Sequence, residues 1–338
     1  KLIRTEDAVG HVLCHDMTQI IKDKYKDARF RKGHVVTEED IPVLLSMGKE
    51  HLYVWEMTPG MVHENDAAER LLALCGQENM IRSGVKEGKI ELKAACDGVF
   101  LVDSARLVAV NSQDEVMIAT RKGGTAVREG DKLAGMRVIP LIIEEEKLRK
   151  AEQAAGDKPL LSLKPYVRKT ACIVATGGEV KKGLIKDTFT PVVIDKLKTY
   201  GIETLKVVYS GDGVENVRDA VLTMREKKPD MILCTGGMSV DPDDNTPGGI
   251  KAAGANIIAY GAPVLPGAMF LLGYFDDGMP VMGLPGCVMY AGATVFDLML
   301  PKIAADVPVT RADLAALGEG GLCLGCKPCH YPICPFGK

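Results

Sequence analysis

The sequence predicts an α/β chain: a three-layer, mostly parallel sheet in the second half, preceded by a mainly β (α+β) region. Three observations carry this expectation. From Thr170 onward, short apolar runs alternate with segments of helical spacing, the order of a parallel sheet with helices on both faces. Before Glu144 the apolar runs are short and separated by turn residues such as Gly123-Gly124 and Gly130-Asp131. Between the halves, Gly156, Pro159 and Pro165 break every periodic pattern. The expected division is an N-terminal segment 1–60, a mainly β domain 61–143, a helical linker 144–168, an α/β domain 169–305 and a cysteine-rich tail 306–338.

Taken in order, 28–36 is extended in character, and Thr37-Glu-Glu-Asp40 has capping-box spacing ahead of Ile41, Leu44 and Leu45. Gly48 sits where that helix should end, and His51 to Trp55 reads as a returning strand. A second helix is expected over 66–74. Strands follow at 90–92, 99–102, 107–110, 116–120 and 137–143. Residues 144–155 read as a solvated connecting helix, with Glu145–Arg149 and Glu146–Lys150 at i, i+4. In the second half, strands are expected at 170–175, 204–209, 231–234, 257–260 and 281–284. Helices are expected at 191–200 and along the stripe Val214, Val217, Val221, Met224.

Composition narrows the function classes. Among 338 residues, 42 Lys+Arg face 45 Asp+Glu for a net charge of −3, without the clustered positive charge that nucleic-acid binding rests on. The longest apolar stretch, Ile257 to Tyr274, is interrupted by Pro263 and Pro266, short of the roughly 20 residues a membrane helix needs. The first residues lack the apolar core of a secretory signal, so a cytoplasmic protein is expected. Cys14, Cys75, Cys96, Cys172, Cys234 and Cys287 are scattered singly among apolar neighbours and read as small core residues.

The loops after the predicted strands carry the chemistry. Thr176-Gly177-Gly178-Glu179 runs on to Gly183, Asp187 and Thr188. Ser210-Gly211-Asp212 is the second loop. Thr235-Gly236-Gly237-Met238-Ser239-Val240 is the third, followed by Asp241, Asp243, Asp244 and Thr246. Gly283-Leu284-Pro285-Gly286 is the fourth. Glycines let backbone N–H groups approach an anion. Carboxylates beside them make sense where Mg²⁺ bridges them to phosphate. For any one loop the plain alternative is a solvated turn. Four at the carboxyl edge of one parallel sheet, where ligands bind, form a pattern.

These loops, with Pro266-Gly267, make residues 170–305 similar to the molybdopterin-binding domain shared by molybdopterin adenylyltransferases and molybdopterin molybdenumtransferases. Gly236-Gly-Met-Ser-Val240 resembles the molybdenumtransferase loop Gly-Gly-Val-Ser-Val, and the segment Arg31 to Gly48 resembles one that precedes that family's pterin domain. The resemblance implies an enzyme of molybdenum-cofactor biosynthesis that inserts molybdate into adenylylated molybdopterin with Mg²⁺ and releases AMP. Glu179, Asp187, Asp212 and Asp244 are then the catalytic or metal-holding acids. Thr176, Gly177, Gly178, Thr235, Gly236, Gly237, Ser239, Thr246, Pro266, Gly267, Pro285 and Gly286 would cradle pterin and phosphate. A homodimer is implied as well. This chain departs from the family where two lysines are expected, at Leu265 and Ala268, and at Cys287-Val288 in place of Asn-Pro. That departure supports a second reading, a non-catalytic carrier or sensor of molybdopterin serving a molybdoenzyme client.

The tail has its own motif. Cys323, Cys326, Cys329 and Cys334 have the short spacing by which thiolates grip one metal centre. An iron–sulfur cluster and zinc, the latter with His330 as a substitute ligand, are both open. The competing reading is an unstructured reactive tail. Either way the tail is expected to be a separate module whose removal leaves 170–305 folded.

Overall fold

The computed structural model describes residues 1–21, 25–55, 59–239 and 244–338. Its chain divides into two units: Lys1–Cys96, Phe100–Gly123 and Arg128–Leu163 in the first, and Asp97–Val99, Gly124–Val127 and Lys164–Lys338 in the second. Among the described residues, no helix is long and apolar enough to cross a membrane.

In the first unit, strands Leu2–Arg4, His51–Trp55 and Val12–Leu13 form a small antiparallel sheet, and Met17–Ile21 pairs with Tyr25–Phe30. Leu13, Phe30, Leu44, Leu52 and Val54 make its core. The helix foreseen after Thr37 runs Asp40–Ser46. Asp40 Oδ2 accepts from the Thr37 N–H (2.9 Å) and hydroxyl (2.8 Å) and lies 2.6 Å from His34 Nε2. A second antiparallel sheet joins Val116–Thr120, Lys132–Val138, Ile90–Ala94 and Met80–Arg82. Helix Glu64–Cys75 buries Ala67, Ala68, Leu71 and Leu72.

Three expectations are corrected here. The apolar run 107–110 is not a strand: it lies in helix Ser104–Asn111, whose start is capped by the Asp103 side chain accepting from Arg106 N–H at 3.1 Å. The run 137–143 is split between two strands, Lys132–Val138 and Ile142–Glu144. Helix Glu145–Ala155 is not a solvated connector, because Leu148, Ala151 and Ala155 are fully buried. Its charges also pair differently. Arg70 reaches Glu152 (2.7 Å) and Glu145 (3.3 Å), and Arg149 turns to Glu146.

The second unit is built on six strands: β1 Thr170–Thr176, β2 Glu203–Ser210, β3 Met231–Thr235, β4 Asn256–Tyr260, β5 Leu271–Tyr274 and β6 Pro280–Leu284. Their order is β2-β1-β3-β6-β5-β4. The first four in that order are parallel, and β5 and β4 add an antiparallel edge. Alternate side chains of β1 and β3 point to opposite faces, so each face has its own core. Ile173 and Leu233 pack with helices α1 Phe189–Lys198 and α4 Val295–Ala304 through Val193, Leu197, Phe296, Met299 and Leu300. Cys172, Val174, Ile232 and Cys234 pack with α2 Val214–Arg225 and α3 Thr246–Ala252 through Val217, Val221, Met224 and Ile250. The result is three layers. Strand β5 was not foreseen, since Leu271 to Tyr274 continues one apolar run from Ile257 and carries no boundary signal of its own.

The tail is part of this unit. Leu265 N–H donates to Gly321 O and Cys323 N–H to Leu265 O, each at 2.8 Å. Tyr331 OH donates to Asp297 O at 3.0 Å. Phe336 is 3% exposed and belongs to the larger core, against which Tyr331, Cys323 and Cys334 also pack. The tail thus contributes apolar side chains to the core of this unit, where a separate module was expected.

Candidate functional site

Register places the loops together. Thr176 pairs with Ser210, Ala175 with Thr235 and Thr235 with Leu284, so β1, β2, β3 and β6 end along one line. Tyr260 pairs with Leu271, and Leu271 with Gly283, which brings the loop 261–270 to the same edge.

The first and third loops are locked to each other. Thr176 Oγ1 donates to Thr235 O at 2.9 Å and lies 3.2 Å from Thr246 Oγ1, which donates to Gly236 O at 2.8 Å. Thr176, Thr235 and Thr246 are all buried. The hydroxyls of Thr176 and Thr246 shape the loop backbones, and Thr235 takes part through its carbonyl. Gly236 and Gly237 have φ of +82° and +56°, and a Cβ at Gly236 would lie 2.4 Å from Thr176 O. Only glycine fits there. Across the second loop, Gly177 N–H donates to Ser210 O (3.2 Å) and Gly178 N–H to Asp212 Oδ2 (2.9 Å). Glu179 is exposed on the single turn Gly178–Lys181. Asp244 Oδ2 accepts from the exposed Ser239 N–H at 2.7 Å, so this acid also spends an oxygen on loop backbone. Val240, Asp241 and Asp243 lie outside the described residues.

Asp187 stands at the start of α1. One oxygen accepts from Phe189 N–H (2.9 Å) and Thr190 N–H (3.0 Å). The other, Oδ2, is buried without a hydrogen-bond partner among the described residues. Burial pushes this carboxyl up, but hydrogen bonding from Thr190 and Phe189, with the Tyr209 hydroxyl nearby, outweighs it and holds the group below the ordinary carboxylate value. The charged form therefore stabilises the folded loop. That contribution is present above the ordinary carboxylate value and is lost as pH falls through the lowered one. Asp187→Asn keeps an oxygen for both helix-start N–H groups but removes the charge, so thermal stability at neutral pH should fall modestly and lose its dependence on this group at acid pH, while any Mg²⁺-dependent ligand binding should fall at least tenfold. Titrations of wild type and variant with and without Mg²⁺ check this; equal affinities in all four would remove Asp187 from the site.

The fourth loop is open at Gly286, where an added Cβ would meet nothing within 4 Å. Pro285 leads into the turn Gly286–Met289, and Thr188 OH donates to Met289 Sδ at 3.1 Å, tying this loop to the Asp187 segment. Lys196 pairs with Asp297, whose other oxygen accepts from Thr294 N–H at 2.8 Å. Pro266 and Gly267 reach the same edge but are committed to packing. Pro266 O accepts from Val295 N–H at 3.3 Å, and a Cβ at Gly267 would lie 2.6 Å from Val295 Cγ1. They offer no open cradle.

The four tail cysteines are spread over the edge of the core. Among the described residues, no group of three or more His, Cys, Asp or Glu side chains is gathered as a metal ion requires. Cys323 and Cys334 are half-buried against the core, Cys326 is exposed, and Cys329 lies beside Gly292.

Sequence reasoning also missed polar groups that complete the site. Asn216 Nδ2 donates to Asp212 O at 2.6 Å, closing the second loop from the first turn of α2. Tyr260 OH donates to Met238 O at 3.0 Å and buttresses the third loop from β4. Neither belongs to a glycine-rich motif, so only the fold brings them in.

Residues 172–305 match a family described as a probable molybdopterin binding domain, and residues 2–56 match one described as a domain of unknown function. A CinA-like protein from Petrotoga mobilis is 33% identical over 76 residues, 22% of this chain and 19% of that protein. A CinA-like protein from Mycobacterium tuberculosis is also 33% identical over 76 residues, 22% of this chain and 18% of the relative. The match thus spans less than a fifth of these relatives' length. Among solved structures, the CinA protein of unknown function from Thermoplasma acidophilum aligns over 40% of this chain and 98% of its own, with 18% identity and a TM-score of 0.34. The molybdopterin biosynthesis enzyme MoaB from Thermus thermophilus aligns over 42% and 98%, with 15% identity and a TM-score of 0.36.

Proposed function

We propose that the α/β unit binds molybdopterin at the carboxyl edge of its sheet, and that the chain is a molybdenumtransferase-like enzyme that inserts molybdate into adenylylated molybdopterin and releases AMP. The observation that carries this reading is the lock between Thr176, Gly236, Gly237 and Thr246, which sets glycine backbones at an edge lined by Asp187, Asp212 and Asp244, within the residues that match the molybdopterin binding family.

Each residue has a physical task in this reading. The backbones of Gly177, Gly178, Gly236, Gly237 and Ser239 line the edge where phosphate and pterin would lie, in loops held in shape by Thr176, Thr246, Asp212 and Asp244. Gly286 leaves the fourth loop open on the other side. Asp212 and Asp244 hold loop N–H groups in place and so act as positioning residues. The unpartnered Oδ2 of Asp187 suits a hard cation, and Mg²⁺ commonly takes one or two carboxylates together with substrate phosphates. Asp187 would hold that ion, which when bound supplies charge neutralisation at the phosphates.

A second reading, a carrier or sensor that delivers molybdopterin unchanged to a molybdoenzyme, is favoured by Leu265 and Ala268 in the positions of the two expected lysines. One experiment separates the two. The full chain is incubated with adenylylated molybdopterin, molybdate and Mg²⁺, and products are read by mass spectrometry. Molybdate-dependent AMP release supports the transferase. Ligand bound and recovered intact supports the carrier, and absence of binding by a folded protein overturns both.

A further inference from the structure

We infer that Lys181 supplies the cation that holds the ligand's phosphate group, in a notch over Gly211; this deepens the reading above and rests on it. The site is rich in acids, and the loop at 265–269 has lost the lysines expected there and is packed against Val295 and the tail. Beyond the ion that Asp187 would hold, a phosphate at this edge gains from a cationic side chain.

The first loop provides it. The Gly178 N–H bond to Asp212 pins the single turn Gly178–Lys181 onto the second loop. The turn lays the Lys181 side chain over Gly211: a Cβ built there would lie 3.7 Å from Lys181 Nζ, 3.8 Å from its Cδ and 3.6 Å from Asn216 Nδ2. An ammonium and a carboxamide thus flank a spot that glycine leaves empty. Lys181 is exposed and makes no ion pair or side-chain hydrogen bond among the described residues. Asn216 spends one N–H on Asp212 O, at 2.6 Å, and keeps its second. A phosphate oxygen in the notch would accept one charge-assisted and one neutral hydrogen bond. The acid beside it, Asp212, already has Oδ2 engaged by Gly178 N–H. Lys182 and Lys186, exposed on the same loop, add to the positive potential.

The test titrates inorganic pyrophosphate and molybdopterin separately into the full chain as wild type, Lys181→Ala and Lys181→Arg, at low and high ionic strength. Lys181→Ala should bind both about 10-fold more weakly, Lys181→Arg should restore most of the affinity, and the salt dependence should be shallower in the Ala variant. Melting temperatures should coincide, since the side chain is exposed. Wild-type binding with Lys181→Ala within twofold and equally salt-dependent would overturn the notch while leaving molybdopterin binding standing. Lys181-dependent pyrophosphate binding without molybdopterin binding would keep the notch and sink the proposed function. A wild type that binds neither probe sinks both.

Discussion

Phe336→Ala is expected to destabilise the α/β unit by about 3–5 kcal/mol, the usual cost of emptying a buried phenylalanine site. Phe336 is only two residues from the end of the described chain, where fraying is the ordinary expectation. Yet it is 3% exposed and shares a core with Phe296, Met299 and Leu300. Its ring centroid lies 6.2 Å from that of Tyr331 in an edge-on arrangement, and Tyr331 is bonded to Asp297 O. Deleting Gly321 to Lys338 should cost at least as much, because the two bonds between Leu265 and the tail are lost as well. Denaturant unfolding of the full chain, Phe336→Ala and the truncation checks this. A truncated protein with an unchanged midpoint for the α/β unit would show that the tail is a passenger.

Gly236→Ala should damage the site more than any other single substitution. The added Cβ would stand 2.4 Å from Thr176 O and 2.8 Å from Thr176 Oγ1, and φ is +82°. The contact is with backbone, so no flexible side chain can move aside. The third loop must leave the first, breaking the Thr176–Thr235 and Thr246–Gly236 hydrogen bonds. Molybdopterin affinity should fall at least 100-fold, with about 2–4 kcal/mol lost in stability. Gly286→Ala is the control, since its Cβ meets nothing and the protein should fold normally. Wild-type affinity in Gly236→Ala would mean that the locked loops are not the binding surface.

The strands of the parallel sheet were the most legible part of the chain. Met231–Thr235 and Thr170–Thr176 are buried on both faces, so each is a continuous apolar run that ends in glycine. The same reasoning failed at 107–110, where a run of apolar residues is short enough for either state. The deciding signal, Asp103 as a side-chain cap, lay outside the run. At the site, Gly236 and Gly237 are legible as a glycine pair ending an apolar strand, and their positive φ gives the structural reason for glycine there. The threonines are legible but their burial is not: sequence cannot show that Thr176, Thr235 and Thr246 face inward. The packing of the tail is hidden for a related reason. Tyr331 and Phe336 are isolated aromatics among prolines and cysteines, without the periodicity that marks a buried face, and the thiol spacing drew the inference toward a metal. Asp212 and Asp244 are legible as loop acids, but not that each uses an oxygen to hold a loop N–H.

Hydrogen exchange on the full chain with and without saturating molybdopterin tests most directly whether the carboxyl edge of the sheet is the binding surface. The expected result is protection of peptides covering 177–188, 211–216, 236–239 and 286–290, with no change at the opposite ends of the same strands near Lys169 and Asp230. Protection confined to the first unit, or equal at both ends of the sheet, would contradict it.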